Sequence, residues 1–173
     1  MLLLLTVLQP ADAANEAQKS ARAAEVIRLR DEMERLAARG VWVGVERAYE
    51  QMERSEVELR SADHVLAAQA AMTLGDVGSA RERIEHALAV VADDHLAGWR
   101  DEIDARFVHV QLEGPDLELV RGMTRPDALA AYRFAQTELA RTGVFDGMLS
   151  YGVYEVGGRT LVLAGPGELN GSE

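Results

Sequence analysis

The pattern of hydrophobic and polar positions divides the chain into two parts. Apolar residues recur at steps of three and four through residues 15–105, and they alternate with polar residues from residue 106 onward. The first pattern is typical of amphipathic helices and the second of half-buried strands. The sequence therefore predicts an α+β fold, with antiparallel helical hairpins over residues 15–105 and a small strand–strand–helix–strand–strand module over residues 106–165.

The clearest helical hairpin lies at Ser61–Asp94. Two helices are expected to meet at Gly75-Asp76, because Gly75 suits the left-handed residue that ends a helix and Asp76 can cap the next one. Ser61 is the predicted cap of the first helix. The expected buried positions are Ala62, Val65, Leu66, Ala68, Gln69 and Met72 on the first helix, and Val77, Ala80, Ile84, Ala87, Leu88 and Val91 on the second.

Three further helices are predicted around this hairpin. A long helix over Asn15–Arg39 precedes Gly40, a second helix covers Trp42–Val57, and a shorter one over His95–Ala105 is expected to cover the end of the helical layer. The expected buried residues are Val26, Leu29, Met33 and Leu36 in the long helix, then Trp42, Val45, Tyr49 and Met52, and finally Leu96, Trp99 and Ile103.

The spacing of small residues in this region is similar to that of a known helical repeat. Gly75, Ala80, Ile84 and Ala87 follow a small–small–large–small pattern, and GDVGSARERIEHAL resembles the second half of a tetratricopeptide (TPR) repeat. GVWVGVERAYEQM, about one repeat length earlier, is a degenerate copy. The resemblance covers roughly residues 26–94. His64 and Ala71 depart from the family pattern, and an ordinary four-helix bundle is the alternative.

The resemblance implies a binding surface for a protein or peptide partner. In such repeats the first helix of each pair lines a surface that holds an extended peptide or another protein's helix. The matching outward residues are Arg30 and Glu34 in the first copy, and Gln69 and Thr73 in the second. We expect these four residues to contact the partner. A stack of two copies also needs a partner or self-association into a homo-oligomer to cover its ends.

The C-terminal module is predicted from alternation and turn residues. Val108, Val110 and Leu112 form one face of a strand, Glu113–Asp116 forms a turn, and Leu117–Arg121 returns as a second strand. A helix begins at Thr124 and buries Leu129, Tyr132, Ala135 and Leu139. The closing hairpin joins Met148–Val156 to Arg159–Ala164 through Gly157-Gly158. Residues 166–173 are expected to be a flexible tail.

The N-terminus resembles part of a secretory signal. Leu2–Leu8 is an apolar block that is far too short to span a bilayer, and Ala11-Asp12-Ala13 fits a cleavage site after Ala13. The positively charged segment that usually comes first is missing. We therefore expect residues 1–13 to be a signal peptide and the protein to be exported, to the periplasm. If this interpretation is wrong, the protein is cytoplasmic.

Charge and composition exclude several classes of function. The net charge of −11 argues against nucleic-acid binding and against adhesion to anionic lipid surfaces. The absence of cysteine excludes disulfides and thiol catalysis. No zinc-hydrolase, phosphate-loop, serine-hydrolase or EF-hand motif occurs, so the sequence predicts no catalytic residue, no metal site and no cofactor.

The sequence thus predicts a non-enzymatic interaction or scaffold protein of the bacterial cell envelope. The alternative is an envelope module that binds glycan or lipid through the C-terminal β segment, where residues 145–152 resemble the closing hairpin of small carbohydrate-binding modules. Tyr151 and Tyr154 are its candidate aromatic contacts, of which one at most can serve, because residues three apart in a strand face opposite sides.

Overall fold

The computed structural model of the protein describes residues 10–122 and 125–165, with side chains from residue 14 onward. The fold is α+β, as predicted. The apolar block Leu2–Leu8 of the predicted signal peptide, the helix start at Thr124 and the tail at 166–173 lie outside the described residues. The elements are α1 (Pro10–Ala37), α2 (Trp42–Glu53), α3 (Ser61–Leu74), α4 (Val77–Val90), α5 (Asp94–Arg106), β1 (Phe107–Glu113), β2 (Leu117–Gly122), α6 (Pro126–Thr142), β3 (Val144–Ser150), β4 (Gly152–Val156) and β5 (Arg159–Leu163).

The first three helices share one hydrophobic core. The predicted stripe of α1 meets that of α2, and alanines of α3 close the core from the other side. Trp42 and Leu36 are half-buried at its margin. The stripes predicted for these two helices are therefore largely confirmed. The buried members are Val26, Leu29 and Met33 from α1, Val45, Ala48, Tyr49 and Met52 from α2, and Ala67 and Ala70 from α3, with Leu59 from the loop before α3.

The turn between α3 and α4 forms as predicted. Gly75 adopts φ +92° and ends α3, and the Asp76 carboxylate accepts a hydrogen bond of 3.0 Å from the Ser79 amide at the start of α4. The predicted cap at Ser61 is wrong. Arg60 is the N-cap residue, and its amide donates to the Asp63 carboxylate at 3.0 Å. The Asp63 carboxylate lies in the first turn of α3 and accepts a hydrogen bond from an amide that has no partner within the helix.

The predicted buried stripe of α3 is also wrong in part. Ala62 and Gln69 are exposed, and Val65 and Met72 are only half-buried. This helix contacts α1, α2, α4 and α6, and close approach on several sides favours alanine over larger side chains. On α4 the predicted stripe is buried from Val77 to Ala87, whereas Val91 is 52% exposed. The residues of α3 that are buried are Asp63, Ala67, Ala68, Ala70 and Ala71.

The five described strands form two antiparallel sheets. β1 pairs with β3 from Phe107↔Ser150 to Glu113↔Val144, and the second sheet has the order β2-β4-β5. The predicted return strand thus exists as β2, but it pairs with β4 and not with β1. The predicted strand Met148–Val156 is interrupted at Tyr151, so that its two parts lie in different sheets. Gly157 and Gly158 have φ of +54° and +73°, which confirms the predicted tight turn.

α6 packs on both sheets and on the helical part of the chain. Ala135 and Leu139 are buried as predicted, whereas Leu129 and Tyr132 are only half-buried. Ala128 and Ala131 are buried in their place, because this side of α6 meets α3. The core of the module consists of Val110, Leu112, Leu117, Ala135, Leu139, Phe145, Leu149 and Tyr154.

A third hydrophobic cluster joins the helices to the module. Ala68 and Ile84 from the hairpin meet Ala131 of α6 and Met148 of β3 in it. Because each part contributes buried residues, neither can lose this contact without exposing apolar surface. Every helix within the described residues is too short or too polar to cross a bilayer.

Candidate functional site

An open cleft lies where α4 meets the β1–β3 ladder. It has two adjoining lobes with volumes of about 390 and 490 Å³. Gly78, Glu82 and His109 line both lobes, so that the lobes form one continuous cleft. The first turns of α4 supply one wall, and the antiparallel ladder supplies the other, with His109 of β1 directly opposite Met148 of β3.

The larger lobe is mainly apolar. Phe107 and Val108 from β1, Met148 from β3 and Tyr151 from the bend after β3 line it. Arg81 and Asp104 lie at its edge, where the Arg81 Nε donates a hydrogen bond of 2.6 Å to the Asp104 Oδ1. This ion pair neutralises the only lysine or arginine among the described residues that line the cleft.

The smaller lobe is acidic. Asp76, Glu82, Glu138 and Asp146 line it, and no lysine or arginine does so among the described residues. Three of these carboxylates already have partners: Asp76 caps α4, Glu138 pairs with Arg141, and Asp146 pairs with the His109 Nε2 at 2.7 Å. Within the described part of the chain, no hydrogen bond or ion pair joins the Glu82 carboxylate to another residue.

Ser79, His109 and Asp146 line the same lobe and have the residue types of a hydrolase triad. A serine nucleophile requires a hydroxyl that donates to the imidazole. Here the Ser79 hydroxyl donates to the Asp76 Oδ2 at 2.8 Å, within the cap of α4. The Ser79 hydroxyl is therefore part of the cap of α4 and does not donate to the His109 imidazole. No group of three or more His, Asp or Glu side chains in the described residues is placed to hold a metal ion.

A buried ion pair that was not predicted from the sequence connects α2 to α4. Arg83 Nη1 donates to the Glu46 Oε2 at 2.6 Å and to the Ala67 carbonyl oxygen at 3.0 Å, and its guanidinium lies 4.5 Å from the Tyr49 ring centre. Burial lowers the pKa of Arg83, but the Glu46 carboxylate outweighs burial and raises it. The sequence feature that could have indicated this ion pair is the arginine that directly precedes Ile84, within the apolar stripe of α4.

A second polar contact lies beside this pair. The Tyr49 hydroxyl and the His64 Nδ1 are 2.8 Å apart, and the His64 and His86 rings are 5.5 Å apart. Burial lowers the pKa of His64, and the neighbouring His86 lowers it further. Burial also raises the pKa of Tyr49. Both shifts favour the uncharged forms, and a neutral His64 can accept the Tyr49 proton in a hydrogen bond.

The four residues predicted to contact a partner differ in their surroundings. The Arg30 guanidinium donates to the Asp63 carboxylate at 2.7 and 2.8 Å, and its side chain is only 16% exposed. Glu34, Gln69 and Thr73 are exposed, and the Thr73 hydroxyl donates to the Gln69 carbonyl oxygen at 2.7 Å. The role of these four residues in partner binding stays a prediction.

The ion pair of Arg30 also determines the ionisation of Asp63. Burial would raise the pKa of Asp63, but hydrogen bonds from the Arg30 and Arg60 guanidinium groups outweigh it and hold the pKa at about 2. Asp63 is therefore a carboxylate in the buried face of α3. Its position three residues after Arg60, within a capping box, is the signal that could have identified it.

The two candidate aromatic contacts of the β segment are not equivalent. Tyr154 is 1% exposed, and its hydroxyl donates to the Ser150 carbonyl oxygen at 2.8 Å. The buried Tyr154 therefore cannot contact a glycan or a lipid. Tyr151 is half-buried and lies in the apolar lobe of the cleft.

No protein-family model, curated protein or solved structure matches this chain. The resemblance to TPR repeats therefore stays a prediction from the sequence.

Proposed function

We propose that this protein is a non-enzymatic interaction or scaffold protein that binds a segment of a partner protein or peptide in the cleft between α4 and the β1–β3 ladder. One observation carries the proposal: two adjoining lobes, one apolar and one acidic, form a continuous open cleft. Glu82 lines both lobes, and its carboxylate has no partner among the described residues. An apolar side chain of a partner can be buried in one lobe of such a cleft, and polar groups of the partner can pair with the carboxylates of the other lobe.

The helical face that the TPR resemblance implies is available only in part. Arg30 is engaged by Asp63, whereas Glu34, Gln69 and Thr73 are exposed. The walls of the cleft, in contrast, come from regular helices and strands that share a buried cluster. A preformed site of this kind loses little conformational entropy on binding. A location in the cell envelope is part of the proposal, and the apolar block Leu2–Leu8 supports it.

Site-specific photo-crosslinking in cells tests the proposal. A benzophenone amino acid replaces Tyr151, which lies in the cleft, and in a matched control it replaces Ile27, which is 55% exposed on α1. We expect the Tyr151 position to capture a defined protein that also binds as a purified component, and the Ile27 position not to capture it. Capture of the same protein at both positions, or only at Ile27, would contradict the proposal.

A further inference from the structure

The two lobes of the cleft differ in the chemistry that they offer to a partner. In the acidic lobe, four carboxylates and the His109 imidazole line the wall, and no guanidinium or ammonium group lines it among the described residues. In the apolar lobe, the single cation Arg81 is paired with Asp104 at 2.6 Å and with Glu85 at 3.5 Å. The charge left uncompensated in the cleft is therefore negative.

Glu82 is the carboxylate best placed to bind a cation. Glu82 lines both lobes and is exposed, and no other described residue bonds to its carboxylate. A lysine or arginine side chain that reaches Glu82 would enter the lobe that Asp146 and Glu138 also line. Both of these carboxylates already have partners, so Glu82 is the carboxylate left for a new charge-assisted hydrogen bond, which favours a cation over a neutral donor.

The apolar lobe begins where the acidic lobe ends. Val108 and Tyr151 are half-buried, so parts of both side chains remain open to a ligand, and Met148 lies beside them. A large aliphatic or aromatic side chain would cover this surface at roughly 25 cal/mol of favourable free energy per Å² of apolar area removed from water. The adjoining lobes require the cationic and the apolar groups to be neighbours on the partner.

We infer that the partner segment is basic and amphipathic: it places a lysine or arginine side chain in the acidic lobe and a large apolar side chain in the apolar lobe. This inference rests on the proposed function and names the chemistry of its partner. Charge complementarity selects this occupant over a second copy of the chain, because the copy would bring its own net charge of −11.

Titration with three matched peptides tests the inference. The probes are short fluorescent peptides in which leucine alternates with lysine, with serine or with glutamate, and binding is followed by fluorescence anisotropy and by amide chemical shifts. We expect the lysine peptide to bind most tightly and to shift amides at residues 78–82 and 145–148. Its affinity should fall with rising salt, because the contacts are charged and solvent-accessible.

Two variants separate the cleft from the general charge of the surface. Glu82→Lys reverses the unpaired carboxylate, and Glu58→Lys makes the same change at an exposed glutamate in the loop before α3, outside the cleft. We expect Glu82→Lys to weaken the binding of the lysine peptide by about fivefold or more, and Glu58→Lys to weaken it by less than about twofold. Equal weakening by the two variants would overturn the inference.

The other outcomes distinguish this inference from the proposed function. Tight binding of the serine or glutamate peptide in the cleft, with no advantage for lysine, would overturn the basic character of the partner and leave the cleft as a binding site. If none of the three peptides shifts amides in the cleft, and Tyr151 captures no protein in cells, both the inference and the proposed function are wrong.

Discussion

At the scale of single residues, the buried Arg83–Glu46 pair is a contact with a large expected energetic effect. Arg83→Met leaves the Glu46 carboxylate half-buried without its partner and frees the Ala67 carbonyl oxygen. We expect the free energy of unfolding, measured in urea, to fall by about 2–3 kcal/mol.

Two controls show whether the loss comes from the unpaired carboxylate. Arg54→Met removes an exposed partner of Glu50 and should change stability by less than about 0.5 kcal/mol. Adding Glu46→Leu to Arg83→Met should restore much of the loss, since an apolar pair can replace a buried ion pair. A double variant as unstable as the sum of the two single variants would contradict this explanation.

The His64 environment predicts how stability depends on pH. Burial lowers the pKa of His64 in the folded protein below the value of about 6.5 that it has when unfolded. The groups that face it are Tyr49 and Glu53 from α2, Asp63 on its own helix, and Arg83 and His86 from α4. As the pH falls, His64 therefore binds a proton in the unfolded chain before it does so in the folded protein. The contribution of His64 to stability is fully present above about pH 6.5 and decreases as the pH drops below that value.

His64 alone can change the free energy of unfolding by at most about 1.4 kcal/mol per pH unit. His64→Gln should remove this pH dependence between pH 7 and pH 5. His109→Gln, at an exposed position, is the control and should retain it. Asp63 acts at lower pH, because its stabilising charge is lost only as the pH falls toward its pKa of about 2. A wild-type protein whose stability does not change between pH 7 and pH 5 would contradict this role of His64.

At the scale of secondary-structure elements, Gly75 is a point of close approach between the end of α3 and α6. A Cβ atom there would lie 2.2 Å from the Ala130 carbonyl oxygen of α6, and φ is already +92°. Gly75→Ala should therefore cost more than about 2–3 kcal/mol, from the left-handed conformation and the clash together.

Gly40→Ala is the matched control for this contact. Gly40 has φ +68°, but a Cβ atom at this residue would have nothing within 4 Å of it. The expected cost is about 1–2 kcal/mol, from the backbone conformation alone. The difference between the two variants in thermal or urea unfolding measures the approach of α3 to α6. Equal losses of stability in the two variants would mean that α6 moves away from residue 75 at no energetic cost.

The elements show which parts of the fold the sequence could predict. Local signals located the helices, the Gly75-Asp76 turn and the Gly157-Gly158 turn, because each depends on neighbouring residues alone. Strand pairing and the buried face of α3 were not predictable in this way. The buried face of α3 depends on its contact with α6, which lies far from it in the chain. The strand pairs β1–β3 and β2–β4 join segments that are separated by other elements.

The candidate site was less predictable than the elements. The repeat resemblance pointed to Arg30, Glu34, Gln69 and Thr73, which lie on α1 and α3. The cleft is formed instead by residues from α4 and from strands that follow it at a distance, such as Glu82, His109 and Asp146. No periodicity within one helix reports a contact between two distant segments, so the cleft required the tertiary structure.

At the scale of the whole molecule, the shared hydrophobic cluster predicts that the two parts unfold together. Leu149→Ala removes a fully buried side chain from the core of the module and should cost about 2–5 kcal/mol. Hydrogen exchange should report the same loss at the Tyr49 amide in α2 as at Tyr154 in β4. A loss confined to the module would show that the helices are stable without it.

The central claim is that this protein binds its partner in the cleft between α4 and the β1–β3 ladder. The most direct measurement is hydrogen exchange of the full-length protein, alone and with the purified protein that the Tyr151 crosslinker captures. We expect slower exchange in residues 78–82 and 145–148 when the partner is bound. Protection confined to the exposed face of α1 and α3, around Glu34 and Thr73, would contradict the claim and favour the surface expected from the repeat resemblance.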